Sequence, residues 1–357
     1  MKNIIVIYGG RSTEHEVAVR SAVAVINNLD WSKYQVYAIY INKQGHFIPL
    51  GEITEEVASD KDLIRGNGKS TLESISDFCL FLNQIEKPII FPVIHGQTGE
   101  DGEIQGFLET LDVAYIGSRL MASALCMDKG YANQVLDASG LPIAPYRVLT
   151  RKEYEEIDHD ELIKEIEESC GFPCFVKPCN NGSSVGVSRA EQDTFLEAVE
   201  EAFRYDRRIV IEKEIVGVEL EVSVLGNKKA KASQPGSYTA QGLLDYDAKY
   251  NDSSTVENVP HPLEPHLLSE LQDLALRTYH ALSCEGLARV DIFMDKDENF
   301  FINELNTFPG MTQISLAPKL WVALTDMTFS DYLDEIIDYA LESEEERQNI
   351  KTDWETK

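Results

Sequence analysis

Two spacings of apolar residues alternate along the chain. The opening NIIVIYGG is a continuous apolar run ending in two glycines, and after it Val17, Val19, Ala22, Val23 and Ile26 recur at helical spacing. A buried strand, a glycine turn and an amphipathic helix make the first half of a βαβ unit. YQVYAIYI and KPIIFPVIHG repeat the strand pattern, so residues 1–120 are expected to form an open, parallel α/β layer with helical and loop segments between its strands. Ligands of such sheets gather beyond the carboxyl ends of the strands, where Gly9-Gly10 and HGQTGEDG (95–102) fall.

The pattern then changes. MDKGYANQVLDASG predicts a helix ending at Gly140, and the prolines after it mark a connection into a second unit, residues 121–235. From residue 172 the pattern is β-rich: FPCFVKP, SVGVSR and RIVIEKEIVGVELEVSVLG. QPGSYTAQGLLDYDAKYNDSSTVEN, polar and glycine-containing, is expected to be an exposed loop covering about 236–258. A third unit, 236–357, continues with a helix from Glu264 to Leu282, strands in GLARVDIFMD and NFFINELNT, and C-terminal helices. The fold class is α/β, turning to α+β in the C-terminal parts.

Composition narrows the function. With 32 basic and 61 acidic residues the formal charge is −29, which repels a polyanion, so nucleic acid is excluded as the expected partner. Acidic stretches such as RKEYEEIDHDELIKEIEES read as solvated helix faces. No stretch approaches the roughly 18 apolar residues of a membrane span, and the expected location is the cytoplasm. Six cysteines, several in apolar stretches, read as reduced core residues, and the spacing of Cys170, Cys174 and Cys179 fits no zinc pattern.

Two constellations carry chemistry. In FVKPCNNGSSVGVS, Lys177 ends an apolar strand, and Gly182, Ser183, Ser184 and Gly186 follow as a flexible flap. A Walker loop has its lysine after the glycines, so the order here is different: a strand-borne ammonium under a cover of N–H groups and hydroxyls suits the phosphates of ATP. A plain β-hairpin with an exposed lysine is the alternative for this stretch taken alone. In RVDIF and FFINELNTFPGMT, Asp291 and Glu304 lie on apolar strands, and Asn306, two residues beyond Glu304, shares its face. Two carboxylates and an amide oxygen are hard ligands that suit Mg²⁺; ordinary alternation on a half-exposed strand is the other reading.

Together and in this order, these features resemble the ATP-grasp superfamily and, within it, the D-alanine:D-alanine ligase family. Further counterparts of that pattern are GGRSTEHEVAVRSA, HGQTGEDGEIQGFLE, GSRLMASALCMDK, VIEKEIVGVELEVSVLG, DYDAKY and NELNTFPGMTQISL, so the resemblance covers residues 4–340. It implies an ATP-grasp fold and ATP-dependent joining of two D-alanine molecules through an acylphosphate, for peptidoglycan precursors. By resemblance Lys129 and Lys177 contact the nucleotide phosphates under a loop holding Ser183 and Ser184. Glu212, Lys213 and Ile215 line the adenine pocket, and Glu219 takes the ribose hydroxyls. Asp291, Glu304 and Asn306 hold two Mg²⁺, with Mn²⁺ as a substitute. Glu14 holds the ammonium of the first D-alanine, although taken alone it reads more often as a stabilising acid at a helix N-terminus.

The resemblance further gives Arg289 and the Gly310 N–H as oxyanion donors, Ser315 and the Leu316 amide as the pocket for the second carboxylate, and His95 as an active-site neighbour, although a lone histidine after an apolar strand is more often structural. Lys249, reaching the γ-phosphate, and Tyr250, closing the substrate pocket, fall in a mobile lid. Tyrosine at 250, with Leu316, favours D-alanine over D-lactate or D-serine as second substrate. Glu214 and Phe308 depart from the family pattern, and a homodimer is implied.

Overall fold

The computed structural model describes residues 1–66, 69–239 and 256–351. The first sheet holds β1 (Lys2–Gly9), β2 (Tyr34–Ile41), β3 (Phe47–Ile53), β4 (Pro88–Val93) and β5 (Ala114–Tyr115), in the order β3-β2-β1-β4-β5. β2, β1, β4 and β5 are parallel, as the apolar runs predict. The edge strand β3 is antiparallel to β2 and was not legible in the sequence. Its FIPLGEI carries a proline and a glycine, residues that disfavour a strand interior but are tolerated at an edge, and a register shift lies opposite Pro49. The strand order reverses at β1, whose neighbours β2 and β4 lead in opposite directions; there the chain leaves through Gly9-Gly10 and His95-Gly96.

The second sheet, β6 (Tyr146–Thr150), β7 (Cys174–Pro178), β8 (Ser188–Ala190) and β9 (Arg208–Lys213), is antiparallel in the order β6-β9-β7-β8. The third is also antiparallel: β10 (Gly217–Leu225), β11 (Lys231–Ala232), β12 (Gly236–Thr239), β13 (Val256–Asn258), β14 (Leu287–Asp295) and β15 (Phe300–Asn306). The segment expected to be an exposed loop therefore starts and ends in paired strands, with β12 held against β10. A span dominated by polar residues hid two short strands that pair with each other, the first of them also with β10.

Helices form where predicted. His15–Asn28 covers β1, and Pro265–Ala281 has Glu264 at its N-cap and a proline in its first turn. Lys129–Ala138 begins at Asp128, whose carboxylate accepts the Tyr131 N–H. All six cysteines are free thiols, as their apolar settings imply.

One apolar cluster fastens the first sheet to the C-terminal part of the chain. Ile4, Val6, Tyr8 and Phe91 of the first sheet share it with Phe308, Met311, Trp321, Phe329, Tyr332 and Ile336. Phe308, a departure from the family pattern, fills a gap here: it is buried and meets Phe91 edge-on, with its ring near His95. His95 is buried and hydrogen-bonded to Ser21 Oγ (3.0 Å). Burial, partly opposed by a backbone hydrogen bond at Phe308, lowers its pKa to about 4.

Two outcomes follow from these contacts. Thr328 caps the helix Phe329–Gln348 in a reciprocal capping box with Asp331. Thr328→Ala should cost about 1 kcal/mol, read as an earlier denaturant midpoint. At His95 the unfolded chain, with a pKa near 6.5, binds a proton that the folded chain refuses until about 4. Its contribution to stability is therefore whole above that window and lost as pH falls through it. The thermal midpoint should therefore fall by less between pH 7 and pH 4.5 in His95→Gln than in the wild type.

Candidate active site

The site is built where the three sheets meet. Lys177 stands near the end of β7, half-buried, with its ammonium 2.7 Å from Glu212 Oε2 on the neighbouring β9. Burial pushes this lysine down, but Glu212, Glu304 and Glu219 outweigh burial and leave its pKa raised, so it is a fixed cation. Lys129 is the first residue of its helix; its ammonium reaches Glu304 Oε2 (3.1 Å) and the Asn181 carbonyl (2.9 Å). Lys129 N–H also donates to the Cys179 carbonyl, tying the helix start to the glycine-rich flap.

The flap is bent where the sequence needed it to be. Ser183 and Ser184 have φ of 53° and 56°, a left-handed conformation that costs non-glycine residues of order 1 kcal/mol each. At Gly186 a Cβ would come within 2.5 Å of the Tyr205 ring, so glycine is required for close approach.

On the third sheet, β10 and β14 pair Glu221 with Asp291, and β14 and β15 pair Asp291 with Glu304. Arg289 lies two residues before Asp291 and donates to both its oxygens, Nε to Oδ1 and Nη2 to Oδ2, each 2.7 Å; Glu221 Oε2 is 3.1 Å from Nε. Burial opposes the charge of Arg289, yet Asp291 and Glu221 hold it firmly protonated. Lys129, against burial and with help from Lys177 and Arg289, brings Glu304 down to about 2, so it is ionised at neutral pH. Asn306 turns its Oδ1 to the Phe308 N–H (3.0 Å).

Two adjoining cavities result. One is lined by Lys177, Glu212, Lys213, Ile215, Glu219 and Asp291, with Glu214 also at its wall, where it pairs with Arg189. The other is lined by Glu14, His95, Arg289, Asn306 and Gly310. Lys129, Asn181, Gly182, Ser183, Ser184 and Glu304 line both, so the cavities meet at these six residues. Glu14 occupies the N-cap position of its helix without capping it, and its Oε2 lies beside Gly96, facing the cavity. Ser315 and Leu316 are not brought into either lining: Ser315 bonds Thr312, and Leu316 is buried against Gly236. Lys249 and Tyr250 lie outside the described residues.

Sequence reasoning passed over Asn303, Asn133, Glu221 and Glu100. Asn303 accepts from Lys177 (3.2 Å) and donates to Glu219 (2.8 Å), and Asn133 donates to Glu212 (2.9 Å). Strict alternation would send Asn303 away from Glu304. The register runs from Asp291↔Glu304 to Ile292↔Ile302, leaving Asn303 as the extra residue of a bulge, which turns it into the cavity. Glu100, within HGQTGEDG, lines the second cavity and accepts the Gly96 N–H (2.7 Å) through Oε2. Burial and then Glu14 push its pKa well up.

The donor set suits a divalent cation in the presence of phosphate. Among the described residues no three His, Cys, Asp or Glu gather into a metal cage. Mg²⁺ in nucleotide sites takes one or two carboxylates and completes its shell with phosphate oxygens and water. Asp291, cross-strand from the ionised Glu304, and Asn306 nearby fit that mode.

Comparison with known proteins agrees. The D-ala D-ala ligase N-terminus model matches residues 3–118, and the D-ala D-ala ligase C-terminus model matches 135–338. A D-alanine–D-alanine ligase of Finegoldia magna is 45% identical over 98% of this chain and 99% of its own. One of Oceanobacillus iheyensis is 37% identical, covering 98% of each. Among solved structures, the D-alanine-D-alanine ligase from Coxiella burnetii superposes with a TM-score of 0.78 at 30% identity, over 97% of this chain and 96% of that one. The VanG D-Ala:D-Ser ligase from Enterococcus faecalis gives 0.79 at 29%, over 95% and 99%. Matched along nearly its whole length by relatives and by both family models, the chain belongs to the D-alanine–D-alanine ligase family, with the ATP-grasp fold.

Proposed function

We propose that the protein joins two D-alanine molecules into D-alanyl-D-alanine at the cost of one ATP, supplying a peptidoglycan precursor. The observation that carries this reading is the junction of the two cavities at Lys129, Asn181, Gly182, Ser183, Ser184 and Glu304. A nucleotide in the first cavity, with its adenine by Glu212, Lys213 and Ile215 and its ribose by Glu219, directs its terminal phosphate to that junction. There it meets an amino acid held by Glu14.

A carboxylate resists amines because its charge repels them and its oxygen leaves poorly; phosphorylation removes both obstacles. The carboxylate of the first D-alanine attacks the γ-phosphorus, ADP leaves, and an acylphosphate forms. The amine of the second then attacks the acyl carbon, the Arg289 guanidinium and the Gly310 N–H stabilise the oxyanion, and phosphate departs. Lys129 and Lys177 bind the phosphates, and the Ser183–Ser184 flap shields the acylphosphate from water. Asp291, Glu304 and Asn306 would hold two Mg²⁺, or Mn²⁺, which neutralise phosphate charge when bound. Ser315 and the Leu316 amide receive the second carboxylate, Lys249 and Tyr250 close the site, and His95 shapes the first-substrate pocket. The division into units 1–120, 121–235 and 236–357, a homodimer and a cytoplasmic location complete the reading; no described helix is long and apolar enough to cross a membrane.

A second reading, D-serine as the second substrate, draws on the likeness to the D-Ala:D-Ser ligase. Leu316 and Tyr250 favour D-alanine. With ATP and Mg²⁺, and with D-alanine, D-serine and D-lactate in competition, the main product should be D-alanyl-D-alanine with one phosphate per dipeptide; a predominant mixed product would transfer the assignment to the second reading. Glu304→Gln should leave the circular dichroism spectrum unchanged and lower turnover by at least about a hundredfold, the scale of one lost electrostatic contact in such a site. Near-normal rates would remove Glu304 from the metal site.

A further inference from the structure

Glu14 is not the only carboxylate aimed at the first-substrate pocket. Glu100 lines the same cavity, and both side chains converge on Gly96: its N–H donates to Glu100 Oε2 (2.7 Å), and a Cβ on it would lie 2.5 Å from Glu14 Oε2. The other oxygen of Glu100, Oε1, is buried and accepts no hydrogen bond among the described residues. The cations of the site are committed elsewhere: Lys129 to Glu304, Lys177 to Glu212, and Arg289 to Asp291 and Glu221. A buried carboxylate oxygen with no donor is costly, and a cation delivered by a ligand relieves that cost.

We propose that Glu100 is a second binding carboxylate for the first substrate, sharing its ammonium group with Glu14. An ammonium carries three N–H donors and no acceptor, so one carboxylate cannot satisfy it in a pocket closed to water. Glu14 takes part of that demand and Glu100 Oε1 takes another N–H. The Gly96 N–H holds Oε2 and so fixes the rotation of the Glu100 carboxylate. The pair also sets specificity: a 2-hydroxy acid in the same place offers one donor and no charge, and leaves two carboxylates facing each other.

This inference rests on the ligase reading and deepens its first-substrate site. The test uses the full chain with ATP and Mg²⁺, resolving initial rates of ADP formation into separate KM values for the two D-alanine sites. Glu100→Gln keeps the shape and removes the charge. The first-site KM should rise roughly tenfold to a hundredfold, the range of one charged hydrogen bond, with the second-site KM and kcat within about threefold of wild type. D-lactate, used as an inhibitor at the first site, should bind the variant at least as tightly as the wild type, since it lacks the ammonium and no longer sits between two facing carboxylates. The ligand-free variant should melt at or above the wild-type temperature. An unchanged first-site KM, an equal rise at both sites, or a matching loss of D-lactate affinity would overturn the assignment. Glu100→Asp, which keeps the charge but withdraws it by one methylene, should give a first-site KM between the two; a value equal to that of Glu100→Gln or above it counts against the shared contact. A wild-type protein that forms no dipeptide overturns the ligase reading itself, whereas failure confined to the variants overturns only the role of Glu100.

Discussion

Three buried or half-buried cations, each matched to one or two carboxylates, hold the centre of this molecule together. Lys177 with Glu212, Lys129 with Glu304, and Arg289 with Asp291 and Glu221 join strand to strand and helix to sheet. Removing one partner of such a pair leaves an uncompensated charge and typically costs 3–5 kcal/mol, so each pair constrains the others. The same groups are the ones a nucleotide and a divalent cation would engage. Ligands at this site therefore exchange partners within an existing charge network and do not have to create one.

The apolar frame makes the network possible. The cluster that locks Tyr8 and Phe91 of the first sheet to Phe308, Trp321 and Tyr332 brings the Glu14 and His95 loops against Arg289, Asn306 and Gly310. Asp128, capping its helix and paired with Arg208 (2.6 Å), sets Lys129 against the flap. Each charged residue of the site is thus carried by an element whose position is decided by packing some distance away.

The flap shows a different economy. Two serines with positive φ are strained, and strain of this kind persists where the surrounding structure over-determines it, commonly at ligand clamps. The Val185 N–H bonds the Gly182 carbonyl and closes the bend locally, so the hydroxyls and N–H groups of the turn are presented as a cover over both cavities. A cover that bends over the junction suits chemistry whose intermediate is destroyed by water.

Periodicity and residue type alone determined the strand–turn–helix opening, the helix starting at Glu264, and the placing of Lys177, Asp291, Glu304 and Asn306 on strands, because those patterns are local and repeat every two or about 3.6 residues. Motif order supplied the family. Tertiary structure decided the rest. The antiparallel edge strand β3 and the strands β12 and β13 at the ends of the expected loop are decided by pairing, with β2, with each other and with β10. Asn303 enters the site through a bulge that no alternation rule foretells, and Glu100, one acid among many in the sequence, matters because folding buries its Oε1 beside Glu14. Sequence spacing specifies which way a side chain points from its own element, whereas burial and the identity of its neighbours depend on how separate elements pack, and the chemistry of a carboxylate follows from those.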